Sequence, residues 1–199
     1  MRLLVIGGVA AGLSAAARAR RIDPSLEIVV LEKGADISYG ACGLPYYLAG
    51  RVRRAEELTV HTPEYFQKER NIEVRTGARV VSISHPRREV ALDNGERVHY
   101  DRLVIATGAR PRTTGFEGAA LPHVFTLHTL DDATRLRAFL REKQPRNGVV
   151  VGGGYIGLEA ADAALGPTAR SSAVTSGATQ RAGERWRRLR SGSMVLRVI

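Results

Sequence analysis

The chain has 199 residues, of which 44% are hydrophobic and 25% charged, with a formal net charge of +10. That length suits one good-sized domain, or one domain and part of another, and the composition excludes a disordered or fibrous chain. The longest apolar runs are too short for a membrane span or an export signal, and one cysteine supplies no disulfide framework, so a cytoplasmic protein without membrane contact is expected.

The charge is uneven. Between Gly166 and Ile199 seven arginines stand against one acid, Glu184, which puts +6 in this stretch and +4 in the rest of the chain. A bias of +4 over 165 residues suits anionic ligands and gives no reason to expect a nucleic-acid partner.

In chain order, "RLLVIGGVAAGLSAAARARR" reads as a buried strand turning through glycines into an alanine-rich helix. "LEIVVLEK" follows as a second apolar strand ending in Glu32, which completes a βαβ unit. Glycines at such a turn let the backbone approach a pyrophosphate resting on the helix N-terminus, and an acid after the second strand can accept hydrogen bonds from a ribose. Gly7 and Gly12 hold the first and third places of the dinucleotide fingerprint, and Val9 holds the second. The only cysteine, Cys42, lies in "SYGACGLPYY". Taken alone it could equally be a small buried core residue.

Thr62 and Pro63 open a helix in "TPEYFQKERN" that stops near Asn71 and leads to a strand. "ARVVSIS", "REVAL" and "RVHY" form a small antiparallel meander. "YDRLVIATGARP" is an apolar strand ending at Thr107 and Gly108, and "DDATRLRAFLREK" is a helix capped by Thr129 or Asp131. "GVVVGGGYIGLEAADAAL" is a second nucleotide-like unit whose Gly152, Gly154 and Gly157 fill the whole G-x-G-x-x-G pattern between strand and helix. Two such units in one chain predict two dinucleotides.

In motif order and spacing from Met1 to about Leu165 the chain resembles the first portion of the FAD-dependent pyridine nucleotide-disulfide oxidoreductases, in their single-cysteine branch of coenzyme A-disulfide reductases, NADH oxidases and NADH peroxidases. The resemblance implies an α/β, Rossmann-like fold for two dinucleotides with a small antiparallel β meander, truncated here. It implies FAD at Gly7, Gly8, Ala10, Ala11, Gly12, Glu32, Lys33, Thr107 and Gly108, and NADH or NADPH at Gly152, Gly154, Ile156 and Gly157, with Tyr155 as a nicotinamide-gating tyrosine and Glu159 as a glutamate near the flavin. Cys42 is implied as the catalytic redox thiol at a helix start beside the flavin. Without a second cysteine it would form a mixed disulfide with a small thiol, or cycle through a sulfenic acid in an oxidase or peroxidase. Ser14, Arg18, Arg21, Ser38 and Arg70 fall where coenzyme A is contacted in the reductases, while Ala41 replaces an asparagine common in the branch. No metal site is implied, and the full-length family is homodimeric through a domain that this chain lacks.

The expected organisation is therefore a FAD-binding domain over 1–112, a connecting segment with a helix over 113–147, and the start of a NAD(P)H domain over 148–165. The basic residues 166–199 break the pattern: hydrophobic periodicity fades, and a frameshifted or disordered tail without the next strand is expected. The predicted activity is NAD(P)H-driven, FAD-dependent reduction of a small disulfide such as coenzyme A disulfide, with this chain an inactive fragment. The alternatives are an oxidase or peroxidase, and a non-catalytic flavin-binding or basic-tail interaction protein.

Overall fold

The computed structural model describes residues 1–111, 119–145, 147–165, 170–174 and 193–197. Its elements run β1 (Arg2–Ile6), α1 (Ala10–Ile22), β2 (Glu27–Leu31), α2 (Leu44–Leu48), α3 (Pro63–Arg70), β3 (Glu73–Arg75), β4 (Val80–Ser84), β5 (Glu89–Leu92) and β6 (Arg97–His99). β7 (Arg102–Ile105), β8 (Val124–Thr126), α4 (Leu130–Lys143), β9 (Asn147–Val151), α5 (Tyr155–Leu165), β10 (Arg170–Val174) and β11 (Ser193–Arg197) follow. The chain divides into two compact units, Met1–Gly40 with Thr59–Ala109, and Ala41–Leu58 with Arg110–Ile199. The Ala41–Leu58 stretch, which carries Cys42, thus belongs with the second unit.

In the first unit β1, β2, β3 and β7 form a parallel sheet in the order β3-β2-β1-β7, and β4, β5 and β6 form the antiparallel meander expected from the sequence. Strand side chains alternate between faces, so a strand covered on both sides must be apolar throughout. β1 meets this condition. Leu3 and Val5 pack with Leu13 and Ala16 of α1 and Phe66 of α3, whereas Leu4 and Ile6 pack with Val90 and Val98 of the meander and Tyr100 beside it. The result is three layers, helices on parallel sheet on meander. Each fully buried side chain, such as Leu4 or Val5, contributes roughly 1.5–3 kcal/mol.

Local chemistry sets the helix limits. The Thr62 hydroxyl accepts from the Tyr65 N–H, Pro63 takes the first turn, and Asn71 ends α3 in the left-handed conformation at φ +50°. For α4 the cap is Thr129, not Asp131: its hydroxyl accepts from the Asp132 N–H while the Asp132 carboxylate accepts from the Thr129 N–H.

The second unit corrects one expectation. After Leu165, where a frameshifted or disordered tail without the next strand is expected, β10 and β11 flank β9 in a parallel sheet of order β10-β9-β11-β8. β10 pairs Ala173 with Val150 and Val174 with Val151, and β11 pairs Val195 with Val149. The second glycine turn therefore has strand neighbours on both sides. Arg181, Arg185, Arg187, Arg188 and Arg190 of the basic stretch lie outside the described residues.

Candidate functional site

The first glycine turn is built by close backbone approach. Gly7 has φ +113°, and a Cβ placed on it would lie 2.2 Å from the Ala106 carbonyl oxygen; one on Gly12 would lie 1.8 Å from that of Gly7. Glycine is required at both positions, because the obstructing atoms are main chain. α1 then follows Val9, its N-cap residue, with no side-chain cap and no acid in its first turn, which leaves its N-terminal amides for an anion. Ala10 and Ala11 are exposed at this end.

Glu32, directly after β2, is 8% exposed, and its carboxylate accepts from the Gly8 N–H at 2.7 Å and the Gly34 N–H at 2.8 Å. Each oxygen is engaged once, and a carboxylate accepts about four hydrogen bonds, so capacity remains for ribose hydroxyls. Gly8 has no room for a side chain, since its Cβ would lie 2.9 Å from that of Glu32. Amides at a free helix end and a fixed carboxylate beside them fit the phosphate and ribose of a dinucleotide. Lys33, Thr107 and Gly108 are exposed, with Gly108 at φ +67°.

The second turn repeats the backbone solution. Gly152 has φ +120°, and a Cβ on Gly157 would lie 1.9 Å from the Gly152 carbonyl oxygen. Gly154 meets nothing within 4 Å. Along α5, Tyr155 is 88% exposed, and Ile156 and Glu159 are also exposed.

Cys42 is exposed, in a single 3-10 turn over Ala41–Gly43 that leads into α2. A Cβ on Gly43 would lie 2.4 Å from Leu58 Cδ2, so the two ends of this excursion pass close to each other here. Arg137 of α4 fixes it further, donating to the Val52 and Arg53 carbonyls at 3.1 and 3.0 Å with its guanidinium 4.2 Å from the centre of the Tyr47 ring.

Within the first unit a cavity of about 330 Å³ runs along α1. It gathers Ser14, Arg21, Ser38 and Arg70, four of the five residues predicted to contact a thiol ligand. Arg18 does not line it; at 100° per residue it sits about 60° round the helix from Arg21. Val9 adds an apolar wall, so the residue that departs from the glycine pattern faces this cavity. No carboxylate lines it, and among the described residues neither Arg21 nor Arg70 has an acidic partner. Two uncompensated guanidinium groups over apolar walls suit a phosphorylated organic molecule.

Three residues here escaped the sequence reading. His61 and Tyr65 also line the cavity, their rings stacked 3.8 Å apart and 5° from parallel. Arg20 clamps α1 to the end of α3, donating to the Arg70, Pro24 and Asn71 carbonyls at 3.1, 2.6 and 2.6 Å. The aromatic cluster in "HTPEYF" was a signal for the first two; nothing separates Arg20 from Arg18 and Arg21 before the helix is placed.

Among the described residues no group of three or more His, Cys, Asp or Glu could hold a metal, and no helix is long and apolar enough to cross a membrane. Residues 1–177 match the family described as pyridine nucleotide-disulphide oxidoreductase. An NADH oxidase of Methanocaldococcus jannaschii is 36% identical over 165 residues, covering 81% of this chain and 37% of the relative. An NAD(P)H sulfur oxidoreductase (CoA-dependent) of Pyrococcus abyssi is 36% identical over 176 residues, covering 88% and 39%. The crystal structure of reduced Bacillus anthracis CoADR-RHD superposes with a TM-score of 0.83 at 30% identity, over 98% of this chain and 38% of that one. The chain thus spans well under half the length of these relatives.

Proposed function

The chain belongs to the pyridine nucleotide-disulphide oxidoreductases, and from that premise we propose that it forms part of an FAD-dependent NAD(P)H oxidoreductase that reduces coenzyme A disulfide, or a related small disulfide, through Cys42. The observation that carries this reading is the cavity along α1. It brings Ser14, Arg21, Ser38 and Arg70 together in one unit, and the chain carries Cys42 two residues beyond its lining residue Gly40.

Roles follow residue by residue. The amides at the start of α1 hold a pyrophosphate, Glu32 accepts from a ribose, and Lys33, Thr107 and Gly108 border the same FAD site. Gly152, Gly154 and Gly157 would let the backbone approach the nicotinamide dinucleotide, with Ile156 beside them, Tyr155 gating the nicotinamide and Glu159 near the flavin. When bound, FAD would supply two electrons drawn from NAD(P)H for reducing a disulfide at Cys42. The Cys42 thiolate attacks one sulfur of the disulfide, a mixed disulfide forms, and one coenzyme A thiolate leaves. Two electrons and a proton then release the second thiol and restore the Cys42 thiolate. Arg21 and Arg70 bind the ligand's phosphates throughout. The longer protein is a cytoplasmic homodimer in this reading.

Mass spectrometry of the 199-residue chain after incubation with coenzyme A disulfide tests the thiol step. A single coenzyme A adduct on Cys42, reversed by dithiothreitol and absent in Cys42→Ser, is expected. The relative named an NADH oxidase favours a second reading, in which Cys42 cycles through sulfenic acid. No adduct with the disulfide, together with a dimedone-reactive Cys42 after peroxide, would favour that reading instead.

A further inference from the structure

We infer that the stacked pair His61–Tyr65 is the seat for the purine base of the ligand in the α1 cavity, and so the feature that selects an adenine-nucleotide thiol over thiols without a base. This rests on the coenzyme A reading above and adds two residues to it.

The pair is held in place before any ligand arrives. The two rings lie 3.8 Å apart and nearly parallel, and Phe66, itself 5% exposed, braces both edge-on, at 5.8 Å and 90° from His61 and at 5.6 Å and 85° from Tyr65. The Thr62 cap fixes the Tyr65 N–H at 3.4 Å. At the far end of the ring, Arg70 donates to the Tyr65 hydroxyl at 3.3 Å, and Arg20 holds the Arg70 backbone. A preformed aromatic surface spares a ligand the ordering of the side chains that meet it.

The rings are not spent on the core. Both remain part-exposed and face the same cavity as Arg21 and Arg70. Flat aromatic faces beside two guanidinium groups that have no acidic partner among the described residues match a heterocycle carrying phosphates; a peptide disulfide such as glutathione disulfide offers carboxylates but no ring to stack. The hydrogen bond from Arg70 to Tyr65 couples the two halves, so that a phosphate drawn to Arg70 arrives next to the stack.

The test is calorimetric titration of the 199-residue chain with adenosine 3′,5′-bisphosphate, 4′-phosphopantetheine and coenzyme A. His61→Ala and Tyr65→Leu should each weaken the bisphosphate about tenfold and leave phosphopantetheine within about twofold. Tyr65→Phe and His61→Phe, which keep a ring, should retain most of the affinity, which separates loss of stacking from loss of fold. Should His61→Ala and Tyr65→Leu bind the bisphosphate as wild type does while Arg21→Ala weakens it, the base seat is wrong and the coenzyme A cavity stands. The seat is equally wrong if the chain binds coenzyme A but not the bisphosphate. Binding of none of the three would overturn the seat and the coenzyme A reading together.

Discussion

The two glycine turns solve one backbone problem in the same way and then diverge. Gly7 and Gly152 have φ of +113° and +120°, and a Cβ on Gly12 or Gly157 would lie 1.8 or 1.9 Å from the oxygen of its partner glycine. Beyond the turn the units differ. β2 ends at Leu31, opposite Ile6, and is followed by Glu32 with its carboxylate held by two amides. β10 ends at Val174, opposite Val151, and the next residue in the chain is Thr175, outside the described residues and without a carboxylate in its side chain. The turn is thus dictated by how closely two main chains must pass, whereas recognition of the ribose is left to a residue some twenty positions later. The same turn can serve different nucleotides.

The middle place of the pattern sharpens the comparison. Val9 occupies it in the first unit at φ −103°, outside the left-handed region that favours glycine, and Gly154 occupies it in the second, where an added Cβ would meet nothing within 4 Å. Neither turn needs glycine there for its own geometry.

The largest effect should come from Gly12→Ala and Gly157→Ala, whose new methyl groups meet main-chain oxygen. Each should cost about 3 kcal/mol or more by urea denaturation. A loss under about 1 kcal/mol would show that the helix can shift away from the strand. Next comes Glu32→Ala, which leaves the Gly8 and Gly34 amides without their acceptor and should cost about 2 kcal/mol. Gly154→Ala should stay within about 0.5 kcal/mol of wild type.

The smallest effect is on pH dependence. The Arg2 N–H at 2.6 Å holds the Asp101 carboxyl below the usual aspartate range, and the Arg2 guanidinium at 2.6 Å does the same for Glu27. A carboxyl with a depressed folded pKa adds stability that is fully present above its unfolded pKa and is lost as pH falls through the folded value. The urea midpoint should therefore hold down to about pH 5 and decline slightly below about pH 4. Asp101→Asn should flatten part of that decline; an unchanged slope would remove Asp101 from it.

Much of the first unit was legible because its signals are local. Gly7, Gly12, Glu32, the Thr62–Pro63 helix start and the meander each depend on a few neighbouring residues. β10 and β11 were not legible. "RSSAV" carries little apolar pattern, the three apolar residues of "SMVLR" are too few to mark a strand within a basic stretch, and both strands pair in parallel with the apolar β9, a non-local partner. Arginines 18, 20 and 21 look alike in sequence and take three fates because they occupy different faces of α1: Arg18 lies off the cavity, Arg20 is a structural clamp, and Arg21 is a cavity cation. The chain excursion that carries Cys42 joins the second unit through packing of α2 on α4 and α5, which no local motif announces.

The most direct measurement of the proposal that Cys42 reacts with coenzyme A disulfide bound through Arg21 and Arg70 is a comparison of modification rates. Stopped samples of the 199-residue chain with coenzyme A disulfide or glutathione disulfide, analysed by intact mass, give the rate for each. Wild type should react with coenzyme A disulfide at least about tenfold faster, and the double variant Arg21→Ala, Arg70→Ala should lose that preference while its rate with glutathione disulfide stays the same. Equal rates for the two disulfides in wild type, or a preference that survives loss of both arginines, would contradict it.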